Sequence, residues 1–214
     1  MLGRRQGRTV AAVALGLALA CTAACNTDRK VTEPPPVEVT DKLLKSQLIT
    51  AADVGDGFTA SSTDQPITTD VLKDATCDDK LKQVKAKAEA NATYQGEGVE
   101  VLNQLAYLPG SGAGFESLIN DIYKDCAKVV LQDKGVSIRT LPLDFGTLTD
   151  NTKAFKFEVE SSSGPIQEID YILMRKGDLV NVVRLEGDRP IDTSITDRAV
   201  RAAIGNLGTL DLET

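Results

Sequence analysis

The sequence predicts an α+β fold: one antiparallel β-sheet flanked by helices, a single domain closed by one disulfide. Three observations carry this. Apolar residues recur at three-and-four spacing at the start, in the middle and at the end of the body, and they alternate in the stretch 155–183. That alternation is interrupted by short turn sequences of the kind that join antiparallel strands. Hairpins gathered together, with helices packed against them, argue against a parallel doubly wound sheet.

Taken in order, Leu43, Leu44, Leu48 and Ile49 have helical spacing, and Gly55 and Gly57 end that region and turn the chain into an extended stretch. The segment CDDKLKQVKAKAEA, 77–90, is rich in helix formers and predicts a lysine-lined, solvated helix with Leu81, Val84 and Ala88 on one face. Residues 99–108 alternate as a strand and stop at Pro109-Gly110. Gly110, Gly112 and Gly114 lack both the Lys-Ser/Thr of a phosphate loop and the spacing of a dinucleotide fingerprint, so they read as a turn before a helix. Phe115, Leu118, Ile119, Ile122, Cys126 and Val129 form that helix's buried stripe.

Further strands follow at 136–141 and in KAFKFEVE, which puts Phe155, Phe157 and Val159 on one face. Arg175-Lys176-Gly177-Asp178 turns one strand into the next. Ile169, Tyr171 and Leu173 share a face, as do Leu179 and Val183. Asp192 or Ser194 caps a last helix whose narrow face is Ile195, Ala199, Ala202 and Ala203.

The start of the chain gives an address. Arg4, Arg5 and Arg8 precede an apolar run, 9–20, which is too short to span a bilayer permanently and has the layout of a secretory signal. Two cysteines follow. Cys25 is preceded by Thr22, Ala23 and Ala24, whereas Cys21 has the bulky Leu19 two places back. The spacing resembles a bacterial lipoprotein box with Cys25 as the acylated residue, the alternatives being Cys21 or a plain secretory cut after Ala24. The expected organisation is therefore signal peptide 1–24, lipidated cysteine and Pro-rich tether 25–40, and folded domain 41–214. Acyl chains stabilise membrane attachment by about 0.8 kcal/mol per buried CH₂. The triple proline 34–36 favours an extended spacer. The expected location is outside the cell, lipid-anchored to the outer face of the cell membrane.

Composition narrows the function. The formal charge is -7, and loss of the three signal arginines with no acid takes it to -10. Such a body does not suit nucleic acid, whose phosphates call for clustered Lys and Arg. Histidine is absent, so a Ser-His-Asp or Cys-His apparatus cannot be built, and zinc loses its commonest ligand. Cys77 and Cys126 are the only cysteines of the body and pair as one structural disulfide in an oxidising compartment. A loop of about 50 residues closed in this way is worth roughly 4 kcal/mol in the chain-entropy model. Asp144, Glu158, Glu168, Asp170 and Asp188 are the acids an enzyme would have to use, and they read as turn residues or outward strand residues on a wet face. Asp144, Asp178 and Asp188 lack the spacing of a calcium loop. No catalysis, cofactor or metal is expected.

The stretches LLKSQLITAADVGDGF, GFESLINDIYKDCAKV and YILMRKGDLVNVVRL, with Cys77 and Cys126, resemble the sensor-domain-like lipoproteins of actinobacteria, which are similar to the extracellular domain of the mycobacterial receptor kinase PknH. The resemblance implies an antiparallel sheet flanked by helices, a cleft and a ligand-binding role. It departs from the kinase domain in having two body cysteines where that domain has two disulfides. The leading expectation is a membrane-tethered module that binds a small molecule or lipid, with Tyr107, Tyr123 and Tyr171 as cleft residues, because a ring with a polar tip suits a half-wet pocket. An envelope lipid carrier and a scaffold for an envelope protein are the alternatives.

Overall fold

In the computed structural model the described residues are 38–61, 85–110, 127–132, 135–143, 152–188 and 190–210, with single helical positions at 114, 117, 120, 121 and 124. The chain divides into Met1–Pro35 and Pro36–Thr214, and all described residues belong to the second unit.

Alternating sequence produces one wholly antiparallel sheet. Its strands are β1 (Thr59–Ser61), β2 (Ala88–Gly96), β3 (Val99–Tyr107), β4 (Lys128–Leu131), β5 (Val136–Pro142), β6 (Thr152–Ser161), β7 (Gly164–Lys176) and β8 (Leu179–Gly187), in the spatial order β1-β2-β3-β8-β7-β6-β5-β4. Every neighbouring pair except one is also adjacent in sequence. The exception is β3 with β8, where Asn103 stands opposite Val183.

The helices α1 (Asp41–Lys45), α2 (Ala51–Val54) and α3 (Thr193–Thr209) carry local start signals. The Thr40 hydroxyl accepts the Leu43 N–H, and Thr50 and Asp53 form a reciprocal capping box. Asp192 caps α3 by accepting the Ser194 N–H, a bond that holds its carboxyl below the usual range. Ile195, Ala199, Val200 and Ala203 bury the inner face of α3 in one core cluster with Ile172, Met174, Val183 and Leu185. Small side chains let α3 lie close on the sheet; Ala202 sits half-buried at its rim. Leu44, Leu48, Ile49 and Val54 complete this core above β2 and β3, each such burial stabilising by about 1.5–3 kcal/mol.

The length of α3 matches β7. From Asp170 to Lys176 the strand advances about 20 Å, and from Thr196 to Thr209 the helix advances about 20 Å. At one end the Thr196 hydroxyl donates to Asp170 Oδ2 at 3.0 Å. At the other, Lys176 Nζ donates to the carbonyls of Gly208 at 3.0 Å and Leu210 at 2.6 Å. The opposite sheet face carries a second core of Ile138, Phe157, Val159, Ile169 and Val182, in which Phe155 and Tyr171 stack with centroids 5.5 Å apart. Arg184 lies buried on this side, bonded to Glu100 at 3.2 Å and Glu186 at 3.3 Å.

The α+β class and the single antiparallel sheet agree with the sequence reading. Three local expectations do not. The helix expected over 77–90 does not reach its end, because Ala88–Gly96 is strand β2, paired to β3 along its whole length. Helix propensity is worth only tenths of a kcal/mol per residue, and pairing beside an apolar strand outweighs it. Val129 belongs to β4, although Gly114, Ser117, Asn120 and Lys124 are helical and exposed at helical spacing. Glu168 and Asp170 are not on a wet face: they are 8% and 2% exposed, since α3 and the chain leading into it lie over β7. The signal peptide, Cys21, Cys25, the tether's prolines and both body cysteines lie outside the described residues.

Candidate functional site: a polar cleft at the edge of the helical layer

The helices cover only part of their sheet face. Among the described residues no helix packs over β5 and β6, and where that face meets the chain between β8 and α3 there is a cleft of about 470 Å³. Register explains its floor. Arg139 of β5, Glu158 of β6 and Glu168 of β7 stand in one row, followed by Gly187 of β8. Glu160, Pro165 and Gln167 extend the lining on one side, and Asp188 and Pro190 form the opposite wall.

The row is already ion-paired. The Arg139 guanidinium donates twice to Glu158 and lies 3.7 Å from Glu160, and these carboxylates raise its pKa above the ordinary value. Glu168 Oε1 accepts from Lys156 Nζ at 2.6 Å and from the Ile191 N–H at 3.1 Å, so one carboxylate oxygen ties β6 to the chain entering α3. In the next row Lys156 stands opposite Asp170, which stands opposite Leu185. Burial pushes the Asp170 carboxyl up to about 6; the Thr196 hydrogen bond and the Lys156 charge act against this, and the Glu168 charge adds to it. Four carboxylates line the cleft against one arginine among the described residues, so it suits a polar ligand with cationic or donor groups. Among the described residues no group of three His, Cys, Asp or Glu is placed to hold a metal ion, and no helix is long and apolar enough to cross a membrane.

The tyrosines named from sequence do not line this cleft. Tyr107, half-buried at the end of β3, packs against the helical core, whereas Tyr171 is buried in the core on the other face. They are therefore on opposite sides of the sheet, and Tyr123 lies outside the described residues, as does Asp144. Glu158, Glu168 and Asp188 do come together at the cleft. Sequence reasoning missed Arg139, Glu160 and Gln167 as lining. The signal was present in the outward positions of β5 and β6, which carry charge where Ile138 and Phe157 carry the core, but pairing register was needed to align them.

No protein-family model and no curated protein matches the chain. Among solved structures, the extracellular domain of PknH from Mycobacterium tuberculosis aligns with a TM-score of 0.58 at 15% identity, covering 81% of this chain and 98% of that one. The fold resembles the PknH extracellular domain. Because nearly the whole PknH domain is matched, the likeness extends beyond a shared hairpin to its full length. An uncharacterised protein from Mycobacterium smegmatis, an Rv0999 ortholog, aligns with a TM-score of 0.44 at 15% identity, covering 81% of this chain and 97% of that one.

Proposed function

We propose that this chain is a non-catalytic, sensor-like binding module, held outside the cell on the membrane by an acylated Cys25 and raised from it by the proline tether. The observation that carries the binding role is the polar cleft, with an ion-paired floor and a wall formed by a separate chain segment. Likeness in fold to an extracellular domain of a receptor kinase supports the location and the sensor-like character. The ligand is a polar small molecule or envelope fragment, because the charged lining suits a lipid carrier poorly.

Native mass spectrometry of the full chain, extracted in mild detergent from an actinobacterial envelope, tests this. A discrete bound mass that is lost on Glu158→Ala, with the fold kept, is expected. A chain that carries nothing and binds no envelope extract saturably overturns the reading.

The scaffold reading has one observation in its favour. Val130 and Ile166 are exposed apolar residues, 56% and 43%, and register links Val130 through Ser137 and Glu160 to Pro165, beside Ile166. Crosslinking in intact cells that yields one reproducible protein partner through this surface would favour the scaffold.

A further inference from the structure

The cleft wall and the start of α3 hang on a small buried charge cluster whose charges do not balance. Among the described residues Lys156 is its one cation; Glu168 and Asp170, two residues apart on the same face of β7, are two acids. Glu168 Oε1 is committed to Lys156 and to the Ile191 N–H, and Asp170 Oδ2 accepts from Thr196 in the first turn of α3. Asp170 Oδ1 is buried and has no hydrogen-bond partner among the described residues. An ionised carboxylate left half-satisfied in this way is far more costly than the neutral acid.

We propose that Lys156, Glu168 and Asp170 form a proton-operated latch that holds the chain leading into α3, and with it one wall of the cleft, against β7 in mild acid and loosens it at neutral pH. The proposal stands without any ligand and goes beyond the binding role.

The surroundings leave Asp170 as the group that switches. Among the described residues, β6 presents Lys156 and, one row along, Glu158, which is bound by Arg139. β8 presents Leu185 and Gly187 opposite these rows, with no charge, and Glu186 is turned to the other face with Arg184. On α3, Asp192 caps its own helix, Asp197 pairs with Arg201, and Arg198 donates to the Val54 carbonyl. Only Thr196 of α3 hydrogen-bonds to Asp170. The chain has no histidine, the side chain that ordinarily titrates between pH 5 and 8, so this window is unusually clean. Below it the cluster is neutral, one ammonium with one carboxylate. Above it a second buried anion shares the same ammonium, and burial places this change near pH 6.

Hydrogen exchange of the full chain at pH 5 and pH 7.5, corrected for intrinsic rates, tests the latch. Protection at Ile191 and over 193–199 should fall by about tenfold or more at the higher pH, against a ceiling of roughly a hundredfold for a shift of two pK units, while β3 and β8 stay unchanged. In Asp170→Asn the protection should be high and independent of pH. Thr196→Val removes a bond that favours the ionised form, so its transition should move to higher pH. Equal pH dependence in wild type and Asp170→Asn, or loss spread evenly over the sheet, would overturn the proposal. So would a Thr196→Val transition that stays in place.

Discussion

Asp170 and Lys176, six residues apart on one face of β7, hold opposite ends of α3. Asp170 accepts from Thr196 in the first turn, and Lys176 donates to the terminal carbonyls of Gly208 and Leu210. Lys176 follows the helix macrodipole, a cation placed at the negative end. Lys176→Met keeps the aliphatic stem and removes the donor. It should lower stability by about 1–2 kcal/mol and raise amide exchange over 206–210, both measurable by urea denaturation with hydrogen exchange.

Asp170→Asn should stabilise the protein at neutral pH. The folded-state value of about 6 lies above the ordinary 3.8, so the native state binds this proton more tightly than the unfolded chain does. Stability from this group is therefore complete below pH about 4 and is lost as pH rises to about 6. The variant lacks that loss. Its advantage at pH 7 should be about 1–3 kcal/mol and should vanish near pH 4, read from denaturation midpoints across the range.

Gly96 closes β2 against the turn after α2. A Cβ there would lie 2.7 Å from the Gly57 carbonyl oxygen and 2.9 Å from the Phe58 ring, and the first of these is backbone that cannot rotate away. Gly96→Ala should cost about 1–3 kcal/mol, with the melting temperature as the readout.

Arg139 separates binding from folding. Its side chain is 55% exposed, and surface pairs such as Arg139 with Glu158 contribute little to stability. Arg139→Ala should leave the melting temperature nearly unchanged. Binding of whatever ligand co-purifies should change, because two carboxylates of the cleft lose their counter-ion. An equal loss of stability and affinity would contradict this.

The proposed anchor has a direct test. Cys25→Ala should move the protein from the membrane fraction to the medium, with Cys21→Ala remaining attached; fractionation and immunoblotting distinguish the two. Retention of Cys25→Ala on membranes with release of Cys21→Ala would move the acylation site.

The second half of the fold was legible because its pattern is local. Phe155, Phe157 and Val159 alternate with charged residues, Gly177-Asp178 marks a tight turn, and Asp192 announces the last helix. β2 was not legible: AEANATYQG is made largely of small and polar residues, and its strand character comes from pairing with β3 on one side and β1 on the other. Alternation predicts one wet face, and the buried Glu168 and Asp170 depart from it because β7 is covered on both faces. The apolar run Tyr171, Ile172, Leu173, Met174 was the available signal that β7 is covered on both faces. The cleft depends on which residues of three strands share a row, and alternation within one strand carries no such information.

The junction of β3 with β8 has a consequence for how the protein assembles. It brings together positions near 100 and near 185, and β1 and β2 reach the sheet only through β3. A chain delivered N-terminus first therefore presents its first three strands, with β3 carrying the apolar Val101, Leu102 and Leu105, long before β8 emerges to pair with them. Closing so long a loop is slow, and unpaired strands invite wrong partners while they wait. The free edge of β3 is covered only by β8, so completion of the sheet waits on the final third of the polypeptide.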